Sequence, residues 1–190
     1  FCNGRNVITV ADLGKAPPSN AYIMQENLSA PEVYLPLVVF VCKNCWLVQT
    51  KDFANPETFF DESYAYFSSA SKTWTKHAEI YSEKIIDELG LNSKSFVTEI
   101  ASNDGYLLKN FIAKDIPCLG VEPTESTAQA SEGIGVRVLK KFFGQNVAED
   151  ILNEYGPSDL LIGNNVYAHV PDINDFTKGL KCLLGVNGTI

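Results

Sequence analysis

Val97-Thr98-Glu99-Ile100-Ala101-Ser102-Asn103-Asp104-Gly105-Tyr106-Leu107-Leu108 reads as a strand, a polar turn and the opening of a helix. Phe96 to Ile100 is apolar and β-prone apart from Thr98 and Glu99, and Leu107, Leu108, Phe111 and Ile112 recur at helical spacing. Asn103-Asp104-Gly105 supplies residues that leave the right-handed region easily. A strand feeding a helix through such a turn is the first unit of a nucleotide-binding α/β fold, in which turn amides and the helix N-terminus face the ligand. The turn carries one glycine where a dinucleotide fingerprint has three. Glu99, at the strand's end, repels phosphate and suits ribose hydroxyls or a cationic amino group. That pattern fits S-adenosylmethionine (SAM) better than NAD. On its own the stretch also fits an ordinary βα turn with an incidental Asn-Asp-Gly.

Outward from it the pattern alternates. A helix is expected over about 105–114, then a strand at Cys118 to Glu122 and a helix from Glu125 to Ser131. Val136 to Leu139 is the third strand, with a helix over about 146–154. Asp159 to Gly163 is the fourth, with a helix from Ile173 to Leu184, and a fifth strand opens at Gly188. Strands alternating with helices predict a parallel sheet covered on both faces. Cys118 and Cys182 are then core residues.

Before this α/β part, Trp74 to Leu89 repeats apolar residues at three- and four-residue steps and ends at Gly90, which predicts a helix. His77 is read as a packing residue of that helix. The segment 57–72 is rich in aromatics and hydroxyls (Phe59, Phe60, Tyr64, Tyr66, Phe67, Ser68, Ser69), fits neither period, and is read as a linker that packs over something.

Residues 1 to about 60 read as a small β-rich module with strands at Val7 to Leu13 and Leu35 to Val41 and a loop from Gly14 to Asn20. Cys42-Lys43-Asn44-Cys45 is a C-x-x-C knuckle before a short strand, Trp46 to Gln49. Such a knuckle presents two thiolates to one ion in a zinc ribbon. Cys2 is a third ligand, and its own C-x-x-C partner would lie three residues upstream of Phe1. A redox pair and two structural thiols are the competing readings; no helix follows Cys45, which disfavours the redox pair.

The chain has 190 residues, 45% of them hydrophobic and 20% charged, a globular composition. A net charge of -8 excludes nucleic acid as the main partner. No apolar run reaches the ~18 residues of a membrane span. Five cysteines without a paired framework point to a reducing, cytoplasmic setting. The start at Phe1 and the stop just after a strand begins suggest a piece cut at both ends.

Two acidic strand ends, Glu99 and Glu122, stand about 20 residues apart, and the second is placed to take the ribose hydroxyls of an adenosine. The fourth strand leads into Asn164-Asn165-Val166-Tyr167-Ala168-His169-Val170-Pro171-Asp172, which brings two asparagines and a histidine to a carboxyl strand end. Taken in order, Glu99 to Leu108, Gly120-Val121-Glu122-Pro123-Thr124, Phe142-Phe143-Gly144 and Asn164 to Ile173 resemble the SAM-dependent sugar C-methyltransferases. The Cys2 and Cys42/Cys45 module, Asp12-Leu13-Gly14 and Tyr66-Phe67-Ser68-Ser69 extend that resemblance over nearly the whole chain.

The resemblance implies a zinc-binding β module at 1–60, an aromatic linker and helix at 61–92, and a SAM-binding Rossmann-like domain at 93–190 whose sheet is incomplete at the C-terminus. It implies that Glu99, Ala101, Asn103, Gly105, Leu107, Glu122, Pro123, Asn164 and Asn165 line the SAM site. Tyr64 and His169 would face the sugar, and Cys2, Cys42 and Cys45 would hold a structural zinc. The substrate would be a nucleotide-linked deoxy-keto-sugar, with dTDP the expected nucleotide. The family's downstream catalytic Tyr/His/Glu segment is not in this sequence, so the general base is not assigned to His169 and the chain alone is expected to be inactive. An NAD-dependent sugar-nucleotide enzyme and a non-catalytic zinc-ribbon interaction protein are the alternatives. The sequence does not fix the oligomeric state.

Overall fold

The computed structural model describes residues 1–51, 60 and 64–190. The chain divides into two compact units, Phe1–Tyr66 and Phe67–Ile190. Phe59 of the aromatic segment lies outside the described residues.

The first unit is built on an antiparallel sheet of β1 (Val7–Ala16), β2 (Leu35–Cys42) and β3 (Val48–Gln49), in that order. Val7 stands opposite Cys42 and Phe40 opposite Gln49. β1 runs past the expected stop at Leu13. Gly14 is absorbed as an irregularity, at φ 78 with its N–H donating to Asp12 Oδ1 at 2.9 Å, and the strand ends before Pro17-Pro18.

The second unit opens with a 3-10 turn at Ser68–Ala70 and α1 (Lys72–Leu89). Ser71 Oγ accepts from Trp74 N at 3.2 Å as an N-cap, and Gly90 ends the helix at φ 62. The strands β4 (Val97–Ile100), β5 (Cys118–Val121), β6 (Val138–Leu139), β7 (Ser158–Ile162) and β8 (Leu184–Thr189) follow. Between them lie α2 (Lys109–Ile112), α3 (Glu125–Gly133), α4 (Gln145–Tyr155) and α5 (Ile173–Leu183). The sheet order is β6-β5-β4-β7-β8 and every pair is parallel. The order reverses at β4, so the ligand crevice of a Rossmann-like α/β fold is expected at the carboxyl ends of β4 and its neighbours.

Period-two alternation sorts the strands onto two cores. Val97, Leu160 and Ile162 pack with Leu107, Leu108 and Phe111 and with Ala78 of α1. Leu119, Val121 and Leu161 pack with Ala148 and Ile151 of α4 and Leu183 of α5. Thr98 and Ser158, buried between β4 and β7, satisfy each other at 2.7 Å.

Among the element bounds of the second unit that differ from the sequence expectation, three have a clear cause in the backbone. α2 starts at Lys109 and not near 105, because the residues up to Gly105 are spent on the turn and the first helical bond is Lys109 N to Gly105 O, 3.1 Å. β6 starts at Val138 and not 136, since the chain turns at Gly135, φ 87. β8 begins at Leu184 directly from the last residue of α5, leaving no loop before Gly188.

Candidate cofactor site and metal centre

The turn after β4 is the centre of the second unit. Ala101, Asn103 and Gly105 all take left-handed backbone conformations, at φ 57, 51 and 75. A glycine-rich turn normally meets that alternation with glycines, the only residues that adopt it without cost. Here only the last is glycine, and it is needed twice over. A Cβ at 105 would stand 2.5 Å from Ser131 Oγ and 3.0 Å from Val136 Cγ2.

Glu122, at the end of β5, holds this turn. Its Oε2 accepts from Asn103 N at 2.9 Å and its Oε1 from Thr124 N at 3.0 Å. Each oxygen keeps a further lone pair. The carboxylate is therefore fixed in direction and can still take hydroxyl donors.

Glu99 is 1% exposed, and its Oε2 has no hydrogen-bond partner. Burial first, and then the charges of Glu122 and Asp104, push its carboxyl well above the ordinary value of 4.5. None of the ion pairs among the described residues involves these three acids. A buried acceptor without a cation suits a ligand that brings ammonium or hydroxyl donors and opposes a phosphate.

Aromatics line the α1 side. Trp74 stacks on Tyr106 with centroids 6.0 Å apart and on His77 at 5.2 Å. Burial, then the Glu99 charge, raises the Tyr81 hydroxyl's pKa. Asn164 Nδ2 donates to Tyr106 OH at 3.4 Å, so the loop after β7 reaches the residue that follows the turn.

The structure thus brings Glu99, Ala101, Asn103, Gly105 and Glu122 together, with Pro123 following and Asn164 joined through Tyr106. Leu107 is different: its side chain is 1% exposed and belongs to the core, leaving only its backbone for a ligand. Asn165, at φ 53, and His169, in the 3-10 turn Tyr167–His169, are exposed on the loop after β7. Tyr64 belongs to the first unit, half-buried, with its ring 5.2 Å from that of Phe60. A cavity of about 460 Å³ between β6 and α4 contains none of these residues and is lined by Arg137, Lys141, Asp150 and Tyr155 among others.

Two contributions escaped the sequence reading. Asn103 Oδ1 accepts from Ser68 N at 2.8 Å, and Asp104 Oδ2 accepts from Ser69 N at 3.0 Å. Asn and Asp are capping residues, but the donors they cap lie 35 positions away, which no local pattern reveals.

In the first unit the Sγ atoms of Cys2, Cys42 and Cys45 lie within 4.8 Å of one another, with Cys2 and Cys42 3.5 Å apart. Around a tetrahedral zinc with Zn–S near 2.3 Å, thiolates stand about 3.8 Å apart, so the donor set fits zinc in chemistry and spacing. Asn44 N donates to Cys42 Sγ at 3.4 Å. Amide donors of Cys45 and Asn44 bring the Cys42 thiol down to about 7, favouring the thiolate a metal needs. Gly4 lets the chain close here, since a Cβ would lie 2.5 Å from Asn44 Nδ2 and 3.1 Å from Cys2 Sγ.

Residues 1–60 match a family described as "Putative zinc binding domain". Over 187 residues the chain is 27% identical to the C-methyltransferase NovU of Streptomyces niveus, covering 98% of this chain and 44% of that protein. The chain therefore spans less than half the length of that relative. Two solved SAM-dependent methyltransferases resemble it at lower identity. One, from Clostridium acetobutylicum, has a TM-score of 0.48 and 16% identity over 60% of this chain and 48% of its own. The other, from Anabaena variabilis, has a TM-score of 0.44 and 18% identity over 58% and 49%.

Proposed function

We propose that the protein is a SAM-dependent C-methyltransferase whose substrate is a nucleotide-linked deoxy-keto-sugar, with dTDP the expected nucleotide. The observation that carries the cofactor assignment is the left-handed turn at 101–105, set between the unpartnered Glu99 Oε2 and the doubly held Glu122. Likeness to a C-methyltransferase supports the reaction type. The ordered motif blocks, from Glu99-Ile100-Ala101 to His169-Val170-Pro171, support the sugar.

When bound, SAM supplies an electrophilic methyl group. The chain's own residues bind and orient. Glu122 accepts the ribose hydroxyls, Glu99 takes the ammonium, and Ala101, Asn103, Gly105 and Leu107 present backbone along the cofactor. Pro123, Asn164 and Asn165 complete the crevice wall. Tyr64 and His169 contact the sugar, where a ketone beside the target carbon makes the proton on that carbon removable and hydrogen bonds stabilise the enolate. Removal of that proton is not assigned to His169. Holding the nucleophilic carbon in line for displacement would carry much of the barrier reduction that these residues supply. The same reading divides the chain into a structural zinc module at 1–60, a connecting segment at 61–92 and the cofactor domain at 93–190, working in the cytoplasm.

Calorimetric titration with S-adenosylhomocysteine tests this. Saturable binding is expected, weakened by about 10- to 100-fold in Glu122→Ala, the loss of a charged hydrogen-bond acceptor. Binding of NAD in its place by the folded chain would overturn the cofactor assignment.

A further inference from the structure

Phe67 sits at the N-cap of the Ser68–Ala70 turn, and its side chain offers no acceptor. The leading amides of such a turn are orphan donors. Ser68 is only 6% exposed, so water does not readily satisfy its amide. The acceptors come instead from the cofactor turn, as two consecutive side chains on two consecutive amides: Asn103 Oδ1 to Ser68 N at 2.8 Å and Asp104 Oδ2 to Ser69 N at 3.0 Å.

Neither side chain is free to drift. Asn103 is held at φ 51 with its own N–H on Glu122 Oε2, and Asp104 is 4% exposed. A continuous path results: Glu122 carboxylate, Asn103 amide, Asn103 side chain, Ser68 amide. Ser71, immediately after the clamped turn, caps α1, whose Trp74 stacks on Tyr106, the residue after Gly105.

We propose that Asn103 and Asp104 are positioning residues which, through Ser68 and Ser69, lock the segment leading into α1 to the cofactor turn, so that loading the turn tightens 67–71. This deepens the SAM reading and rests on it for the identity of the load. Asn103 then acts mainly through its side chain on the protein and through its backbone on the cofactor. Asp104 acts on the segment through Oδ2, which accepts from Ser69 N, while its buried Oδ1 has no protein partner. Exchange of the donors, and not the chemistry, is what the clamp controls: an amide with a fixed buried acceptor opens rarely, and one without it opens freely.

The test is amide hydrogen exchange at Ser68 and Ser69 in the chain, free and with saturating S-adenosylhomocysteine. It compares wild type with Asn103→Leu, which removes the acceptor, Asn103→Asp, which keeps an acceptor and tolerates the left-handed backbone, and Asp104→Asn. Wild type is expected to exchange slowly at both amides and more slowly when loaded. Asn103→Leu is expected to speed Ser68 by about 10- to 100-fold and to abolish the extra slowing, while Asn103→Asp restores both. Asp104→Asn, which keeps an oxygen for Ser69, is expected to stay near wild type and gives a folded comparison if Asn103→Leu does not fold. Ser68 and Ser69 exchanging as exposed amides in wild type, or Asn103→Asp behaving like Asn103→Leu, overturns the clamp. So does unchanged protection at these amides on saturation. Absence of any titration by calorimetry overturns the cofactor reading instead, with the clamp still judged by exchange in the free protein.

Discussion

The two units hold themselves together by different means. Among the described residues, every buried hydrophobic side chain except Cys42 lies beyond residue 77. The first unit instead leaves Val10, Leu13, Tyr22, Met24 and Trp46 60% or more exposed. A three-stranded sheet whose described residues bury so little apolar surface is marginal, and a metal is a usual remedy. The second unit has two cores on the two faces of its sheet and no comparable ligand cluster among its described residues. Cysteines tell the same story. Cys42 is brought down to about 7 in the knuckle, whereas burial, then the Glu99 charge, raises Cys118 to about 11. The same side chain stands in a cluster able to hold a metal in one unit and in packing in the other.

The contrast can be broken most sharply by removing metal. A strong chelator, or Cys42→Ser, is expected to unfold the first unit and leave the second, because structural zinc in small modules contributes about 10–16 kcal/mol of apparent folding energy. Proteolysis confined to residues 1–66, with the thermal transition of the remainder unchanged, is the expected pattern. Both units melting together would end the distinction.

A packing lesion probes the other side. Phe111→Ala, at a fully buried position in the first core, is expected to cost about 3–5 kcal/mol of second-unit stability, read by urea denaturation. The first unit's metal affinity, followed by competition with a chromogenic chelator, should not change.

The smallest effect sharpens the comparison within the second unit, where a site is kept at the expense of stability. The Glu99 carboxyl is raised in the folded state, so the folded protein holds that proton more tightly than the unfolded chain. Between 4.5 and the raised folded value, stability therefore falls as pH rises, and above the folded value the full penalty persists. Glu99→Gln should remove that slope and raise the thermal midpoint at pH 8 while weakening S-adenosylhomocysteine. A lower midpoint at pH 8 would mean that Glu99 is better satisfied than its unpartnered Oε2 indicates.

Much of this architecture is legible from residue patterns because it rests on local periodicity. Phe96 to Ile100, Cys118 to Glu122 and the helical spacing around Phe111 place β4, β5 and α2 within a few residues. C-x-x-C spacing marks Cys42 and Cys45 for the same reason. The features that stayed hidden depend on long-range partners or on backbone angles. Ser68 and Ser69 look like linker hydroxyls, yet their amides matter, and the acceptors are 35 residues on. A count of glycines finds one at 101–105, whereas the backbone takes three left-handed residues there. Leu107, grouped with the crevice residues by motif position, buries its side chain in the core with Val97, Leu108 and Phe111, ahead of the first residue of α2.

That turn also bears on the unfolded chain. Glycine at 101 or 103 would adopt the required angles freely, but would add disorder to the denatured ensemble, worth about 0.4–1 kcal/mol per position. Ala101 and Asn103 reverse the trade: the native turn carries left-handed strain of about 1–2 kcal/mol at a residue such as alanine, less for asparagine, and the chain has fewer conformations to abandon on the way to it. A loop of this kind is stiff before anything binds, so a ligand meeting it loses little affinity to ordering the backbone.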